Sequence, residues 1–574
     1  MRTKRAAVLT MAAIMGISLV GCQTGGTTPA SGTETGSTGE TSGEKNLFGY
    51  DEPVTIKVGY AVVNDFEWYG GESFTDNTWV NLYKEHNIIP EILYEVDRSQ
   101  WETKLSTAIM SGNYPDVFKV KPNDFVSYAN TGVAGDITAA LEEYASDELK
   151  AYLASDGGMA LQSVTVDGKI YGLPVIGSSY DTVPLMFIRQ DWLDKLELDM
   201  PETMEELKAV AHAFTYDDPD GNGKADTYGL ALNGVDILNS GNGDVNAIFN
   251  AYNAYPGNDG LSMVTGADGK VTWGGTNAEG MKAGLAFLQD LYQDGALAKD
   301  FITMDSEAIF EEAGSGRCGI WFGPTWGGMN PAKDLLASNP DVHITSAPVP
   351  DGLNQGGSKA LLISAVSGVY CVSAMCENPE VLIKLANLNV DKIGSPDSEE
   401  EYNMYFGDYA NYSGWKASLL HLEVPNKNYD NYLKMSAALE SGDSSQLNTE
   451  QISKLAMITA YLDAHEAGSI DAADTTISGG ISNYTIFCDP QGSYAAIHRL
   501  VQEDRLINSA YNAFQTATMS ENSATLKKLT VETIVKIITG DSVDSYDTFL
   551  NSWYALGGES AIAEAQEWAD DNGN

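Results

Sequence analysis

Between residues 53 and 120 the apolar period switches repeatedly between two and three to four, and this limits the folds open to the chain. Residues 54–61 (Val-Thr-Ile-Lys-Val-Gly-Tyr-Ala) alternate apolar and polar side chains, as a half-buried strand does. Residues 78–86 read as a helix. Residues 88–96 read as a second strand with Pro90 at its start, and 100–111 as a second helix stopped by Gly112 and Asn113. Residues 116–120 form a third short strand. Strand, helix, strand, helix, strand predicts an α/β fold with a parallel sheet and crossover helices. The pattern resumes with strands at 169–175 and 184–189 and a short helix at 191–196. A helix at 203–213 follows, opened by a capping box of Thr203 and Glu206 with Pro201 nearby. Residues 278–294 read as an amphipathic helix ended by Gly295. Beyond about residue 380 the chain reads as mainly helical, with Asn-, Ser- and Gly-rich loops at 390–415 and 475–495. No short internal repeat is present.

The first residues carry an address rather than fold. Arg2, Lys4 and Arg5 precede 15 apolar or small residues, 6–20. That length suits a signal peptide and falls short of the roughly 20 residues a spanning helix needs. The run ends in Leu19, Val20, Gly21 and Cys22, which looks like a bacterial lipobox, so Cys22 is the expected lipidation site and mature N-terminus. Residues 23–46 are Gly, Thr, Ser and Glu with almost nothing apolar, a flexible tether. Of the remaining cysteines, Cys318, Cys371, Cys376 and Cys488, none shows CxxC spacing. Cys318 and Cys371 sit in apolar strand-like runs and read as buried thiols.

The 574 residues carry 33 basic and 80 acidic side chains, a formal charge of -47. Nucleic acid and anionic lipid bind through Lys and Arg clusters, so such a surface excludes them as partners and suits a neutral ligand or a cation. Asp218, Asp220, Asn222, Lys224 and Asp226 alternate around Gly223, matching positions 1, 3, 5, 7 and 9 of a calcium loop. Alternate oxygens turned inward suit Ca2+, here a structural ion bracing a loop. Position 12 is Gly229, so the bidentate glutamate is absent, and an Asp-Gly, Asn-Gly turn is the competing reading.

Ten Trp and 29 Tyr form a second signal. A flat ring can cover the C–H face of a sugar while polar groups bond its hydroxyl rim. The informative residues follow predicted strands: Asp65, Trp68 and Tyr69 after the first, Tyr180 and Asp181 after residues 173–176, and Trp326 after the run 320–324. These six are the candidate ligand-binding residues. Trp192 and Trp321 lie within apolar patterns and read as core; Trp553 and Trp568 read as helix packing. Catalytic signatures are missing: no His-Glu-x-x-His, GxSxG, GxxxxGK[ST] or GxGxxG occurs in a supporting context. A carboxylate pair for glycoside hydrolysis stays open as the enzymatic alternative, because acids are so numerous.

Several segments in order carry a family resemblance: Asp167-Gly-Lys-Ile-Tyr-Gly-Leu-Pro; Phe187-Ile-Arg-Gln-Asp-Trp-Leu-Asp-Lys-Leu with Pro201-Glu-Thr-Met-Glu-Glu-Leu; the acidic loop from Asp218; Gly319-Ile-Trp-Phe with Trp326; and Asn378-Pro-Glu. Together, over roughly 50–390, the chain resembles the carbohydrate-binding (family 1 type) extracellular solute-binding proteins of ABC importers, which include Gram-positive lipoproteins. The resemblance implies a two-lobed, hinged, periplasmic-binding-protein-like fold of type II kind with a helical C-terminal part. It implies an N-terminal lobe of 47–170 plus about 315–365, and a C-terminal lobe of 171–314 plus about 366–574. Chain crossings are expected near 171–176, 318–326 and 364–372. The implied function is capture of a carbohydrate, with an oligosaccharide the expected cargo, without chemistry, by a lipid-anchored monomer outside the cell that delivers to permease subunits. A peptide or another solute is the alternative cargo.

Overall fold

The computed structural model describes residues 45–574 apart from 63–67, 69, 239–240, 259, 364, 395, 397, 407, 410–411 and 573–574. Cys22 and the tether up to residue 44 lie outside the described residues.

The first sheet grows from β1 (Val54–Val62) and β2 (Ile88–Asp97), which run parallel with Val54 opposite Ile88 and Val62 opposite Asp97. Their register shifts between Val58 and Gly59, where a Cβ would lie 2.7 Å from the Tyr94 ring, so only glycine fits that irregularity. β3 (Val117–Val120) is tied to β1 by two bonds: Asp116 N–H donates to the Lys57 carbonyl at 2.7 Å, and Lys57 N–H donates to Asp116 Oδ2 at 2.7 Å. β4 (Leu173–Ile176) belongs to the same assembly through a later strand described below. The expected strand at 169–175 divides at Gly172, where a Cβ would lie 2.5 Å from Val369 Cγ1.

The second assembly contains β5 (Leu185–Arg189), β6 (Tyr228–Leu230), β7 (Cys318–Gly323) and β8 (Ile344–Ala347), in the order β8-β5-β7-β6. β7 is antiparallel to β5 and parallel to β6, while β8 is antiparallel to β5. β9 (Val366–Val372) then returns to the first assembly and lies between β3 and β4, antiparallel to both. The second sheet is therefore mixed, and the first assembly sets a parallel pair, β1 and β2, beside an antiparallel trio, β3, β9 and β4, rather than forming one wholly parallel sheet.

These pairings correct the expected boundaries. Residues 318–323 and 344–347 pair within the second sheet, not the first, and residues 366–372 belong to the first sheet, not the second. Every residue of β7 is buried, as a central strand covered on both faces must be. That apolar run shows burial; it carries no mark of which sheet will receive it.

Each sheet has its own core. One cluster gathers Ile56, Trp79, Leu173, Val372 and Leu422, and a smaller one beside it gathers Phe118, Phe125 and Val369. Another runs from Val183 through Phe187 and Trp321 to the C-terminal Trp553 and Ala565. The chain passes between them three times, at 177–182, at 363–365 and at 423–426. The crossing expected near 318–326 is not one of these; the last passage replaces it. The C-terminal third completes the second core with helices, and residues 360–362 pair in parallel with 506–508.

Local signals act as the chemistry requires. Thr203 accepts from Glu206 N–H at 3.2 Å, and Glu206 Oε2 accepts from Thr203 N–H at 3.0 Å, opening the helix Met204–Tyr216. Gly295, at φ 93°, closes the helix Ala278–Asp294. The Gly-rich stretch read as a loop at 475–495 instead forms helices, Thr475–Asn483 first. Gly480 there lies against the backbone of Met457, so two helices meet at a distance no side chain would permit. Cys318, Cys371 and Cys488 are buried free thiols and Cys376 is a half-buried one. Trp192, Trp321 and Trp553 are fully buried, and no described helix is long and apolar enough to cross a membrane.

Candidate functional site

A cleft of about 1910 Å³ opens where the carboxyl ends of β1, β2 and β3 face the starts of two helices, Lys427–Ser441 and Thr449–Glu466. The buried sides of those helices, Met435, Ile458 and Tyr461, belong to the second core. One wall thus stands on the first core and the other on the second. Ligands of open α/β sheets sit beyond the carboxyl ends of strands, and this cleft occupies that position.

Aromatic rings stand on both walls. Trp101 begins the helix after β2, and its Nε1–H donates to the Lys119 carbonyl at 2.9 Å, which fixes the indole. Tyr370 of β9 projects into the cleft, and its hydroxyl accepts from His421 N–H at 3.1 Å. The Trp415 ring lies 4.7 Å from that of His421. On the opposite side Tyr429 stacks with Tyr432, centroids 6.2 Å apart, and its hydroxyl is 2.7 Å from His498 Nδ1. Flat apolar faces with hydrogen-bonding groups at their edges can hold a polyhydroxylated ring.

Charge in the cleft is organised. Lys121 pairs with Glu102 at 2.6 Å, Lys434 with Asp430 at 2.8 Å, and Glu450 with Lys454 at 2.6 Å and Lys427 at 3.2 Å. Burial alone would raise the Glu450 carboxyl, but the two ammonium groups outweigh it and hold it at about 2. Burial, with Lys119 and Lys427 nearby, pushes the His421 imidazole down to about 3, so it is neutral near pH 7. Burial lowers the Lys119 ammonium, with Arg98 adding to the fall and Glu423 opposing it.

The six candidate ligand residues fare differently. Asp181 lines the cleft, accepting from Asn428 Nδ2–H at 3.0 Å and from the Tyr494 hydroxyl. Tyr180 lies behind the lining, its ring 5.2 Å from that of Tyr429. Trp68 packs edge-on against Phe74 at 4.8 Å and joins the first core. Trp326, 39% exposed, is not part of the lining. Asp65 and Tyr69 lie outside the described residues. The cleft also recruits Trp101, Tyr370, Trp415 and Tyr429, which the sequence reading passed over. Trp101 follows a strand, as Trp68 does, and the same reasoning applies to it. Trp415 and Tyr429 arrive from a distant, loop-rich part of the chain and carry no such signal.

In the acidic loop, Asn222 Nδ2–H donates to Asp220 Oδ2 at 2.6 Å and to Asp226 Oδ1 at 3.1 Å, while Asp218 Oδ2 accepts from Gly223 N–H at 3.1 Å. The donors are oxygen-rich, as a hard cation requires, but the amide nitrogen occupies their centre. Among the described residues no group of three or more His, Cys, Asp or Glu is gathered for a metal ion. At Gly229, position 12, a Cβ would lie 2.5 Å from the Ala211 carbonyl, so no glutamate can stand there.

Comparison with known proteins gives the class. The profile of the bacterial extracellular solute-binding protein family matches residues 74–388, and the chain belongs to that family. It is 31% identical over 231 residues to Lipoprotein LipO of Bacillus subtilis, and 29% over 254 residues to the fructooligosaccharide ABC transporter substrate-binding protein FusA of Streptococcus pneumoniae. These matches cover 39% and 42% of this chain, and the chain spans 42% and 45% of those two relatives. It is 24% identical over 483 residues to the polygalacturonan/rhamnogalacturonan-binding protein YtcQ of Bacillus subtilis, covering 81% of this chain and 82% of that one. Among solved structures, a solute-binding protein from Bifidobacterium longum infantis, associated with an HMO-binding ABC transporter, superposes with a TM-score of 0.60 at 17% identity, covering 91% and 99% of the two chains. FusA in complex with kestose gives 0.59 at 18%, covering 90% and 99%. The alginate-binding protein AlgQ2 without calcium ion gives 0.55 at 14%, covering 92% and 100%. These likenesses show the fold, a mixed α/β fold of solute-binding proteins.

Because the Glu450 carboxyl is depressed in the folded chain, its pairing stabilises the fold above the ordinary carboxylate range, and that stability is lost as pH falls towards about 2. The urea midpoint of Glu450→Gln should therefore drop less than that of the unaltered protein between about pH 5 and pH 2.5. Equal acid sensitivity of the two would contradict the assignment.

Proposed function

We propose that the chain is the substrate-binding component of an ABC importer, capturing an oligosaccharide in the cleft between two hinged lobes and leaving it chemically unchanged. The single observation that carries this reading is a cleft of about 1910 Å³ with aromatic rings on walls belonging to two separate cores. Its size suits several sugar rings. The three chain passages supply the places where φ and ψ can change on closure. Cargo touching both walls favours the closed arrangement by its differential affinity. FusA and YtcQ, by their names, bind fructooligosaccharide and polygalacturonan or rhamnogalacturonan, and all are carbohydrate.

Binding should raise the melting temperature and shrink the radius of gyration in scattering. Trp101→Ala and Trp415→Ala should each weaken binding by about 3–10-fold, the worth of one aromatic contact. Release of reducing ends from oligosaccharides by the purified protein would overturn the reading in favour of a glycoside hydrolase.

The reading extends to the chain's place and its ion. Lipidation of Cys22 would hold the body at the outer face of the cytoplasmic membrane, within reach of the permease; LipO is a lipoprotein by name. Cys22→Ser should move the protein from the membrane fraction to the medium, and unchanged partition would remove the anchor. Calcium would be held by Asp218, Asp220, Asn222 and Asp226 with the Lys224 carbonyl, once the Asn222 side chain turns its oxygen inward. Calorimetric titration of chelator-treated protein should then give one binding event per chain, abolished by Asp220→Ala. No heat on titration would remove the ion.

A further inference from the structure

We propose that the cargo is anionic, an oligosaccharide bearing carboxylate groups such as a uronate oligomer, and that Arg98 and Lys119 bind one of those carboxylates; this rests on the oligosaccharide reading above. Across the whole chain acidic side chains outnumber basic ones, 80 to 33, yet the cleft is lined by six of each. Three of its cations are neutralised in pairs, Lys121 by Glu102, Lys427 by Glu450 and Lys434 by Asp430. Arg98, Lys119 and Lys416 have no carboxylate within 4.0 Å among the described residues. In a protein this rich in acids, three such cations facing one cleft are a placement that solubility does not explain.

Lys119 is held there by the fold. Its stem crosses β9 at Gly368, where a Cβ would collide with Lys119 Cε, and its ammonium lies 5.4 Å from the centre of the Tyr370 ring. It is half-buried in the strand whose carbonyl anchors Trp101. Arg98 stands just after the end of β2 and lines the same cleft as Lys119. A half-buried ammonium whose nearest opposing charge, Glu423, closes no ion pair with it is costly to keep charged. A carboxylate lying between Lys119 and Arg98 removes that cost, and the guanidinium can grip it through two parallel hydrogen bonds. Of the three other acids in the cleft, Asp124 acts on Lys121, Asp181 is engaged by Tyr494 and Asn428, and Glu423 accepts from Ser367 at 3.4 Å. Glu423 tempers the field at Lys119 without closing an ion pair. A neutral sugar would leave the two cations facing its hydroxyls; a uronate would neutralise them while its ring face covers Trp101.

The test is calorimetric titration of the full mature protein with trigalacturonate, a mannuronate trimer, and the neutral trisaccharides kestose and maltotriose. An acidic trimer should bind about 10–100-fold more tightly than either neutral one, the worth of a charge-assisted contact. Raising salt from about 50 mM to about 500 mM should erode only the acidic binding. Lys119→Met, which keeps the packed stem, and Arg98→Gln should each remove most of the preference. A neutral trisaccharide bound as tightly as the acidic ones, with no salt dependence, overturns this inference and leaves the oligosaccharide reading standing. Binding of none of the four overturns both. Should a variant fail to fold, the salt dependence of the unaltered protein decides.

Discussion

The constraint on which the rest depends is that two sheets need two separate cores, while one chain must serve both. β7 is buried along its whole length, and β9 over most of its length, so each demands cover on both faces. Neither sheet completes itself from contiguous sequence. β7 and β8 finish the second, then the chain returns to place β9 in the middle of the first. Three passages between cores follow from that interleaving, and the polar surfaces left between the cores become the walls of the cleft. The site is therefore a consequence of how the cores are shared.

Packing positions the site residues in turn. The bond from Trp101 to the Lys119 carbonyl, the bond from His421 N–H to the Tyr370 hydroxyl, and the glycine at 368 that admits the Lys119 stem all set rings and charges before any guest arrives. Such preorganisation lowers the ordering cost of binding. The opposite wall is less tied to strands. Tyr429 and Asn428 sit at the start of a helix just after the last chain passage, so a change of angle there would carry them towards or away from Trp101.

Electrostatics reinforce this division. The acidic surface keeps the protein soluble and repels polyanions at long range, but screening confines that repulsion to roughly 8 Å at physiological salt. Inside the cleft, charges meet one another at contact distance instead. Glu450 illustrates how strongly the environment decides: a half-buried acid stays ionised because two lysines face it.

The amino-acid sequence by itself determined what depends on neighbours along the chain. Residues 54–62, 88–97 and 117–120 are strands because of their period, Thr203 and Glu206 open a helix by reciprocal bonds, and Gly295 ends one by its positive φ. It also marked Trp192 and Trp321 as core, because apolar runs without alternation must be buried. Only the tertiary structure decided which sheet takes β7 and which takes β9, since an apolar run attracts any apolar surface equally. It alone brought Trp415 to the same wall as Trp101 and Tyr429 to the opposite one, each across more than 300 positions, and it turned the 475–495 stretch into helices with a close approach at Gly480. Local rules read distances of three or four residues; a cleft is assembled from residues whose only relation is that two cores had to be closed at once.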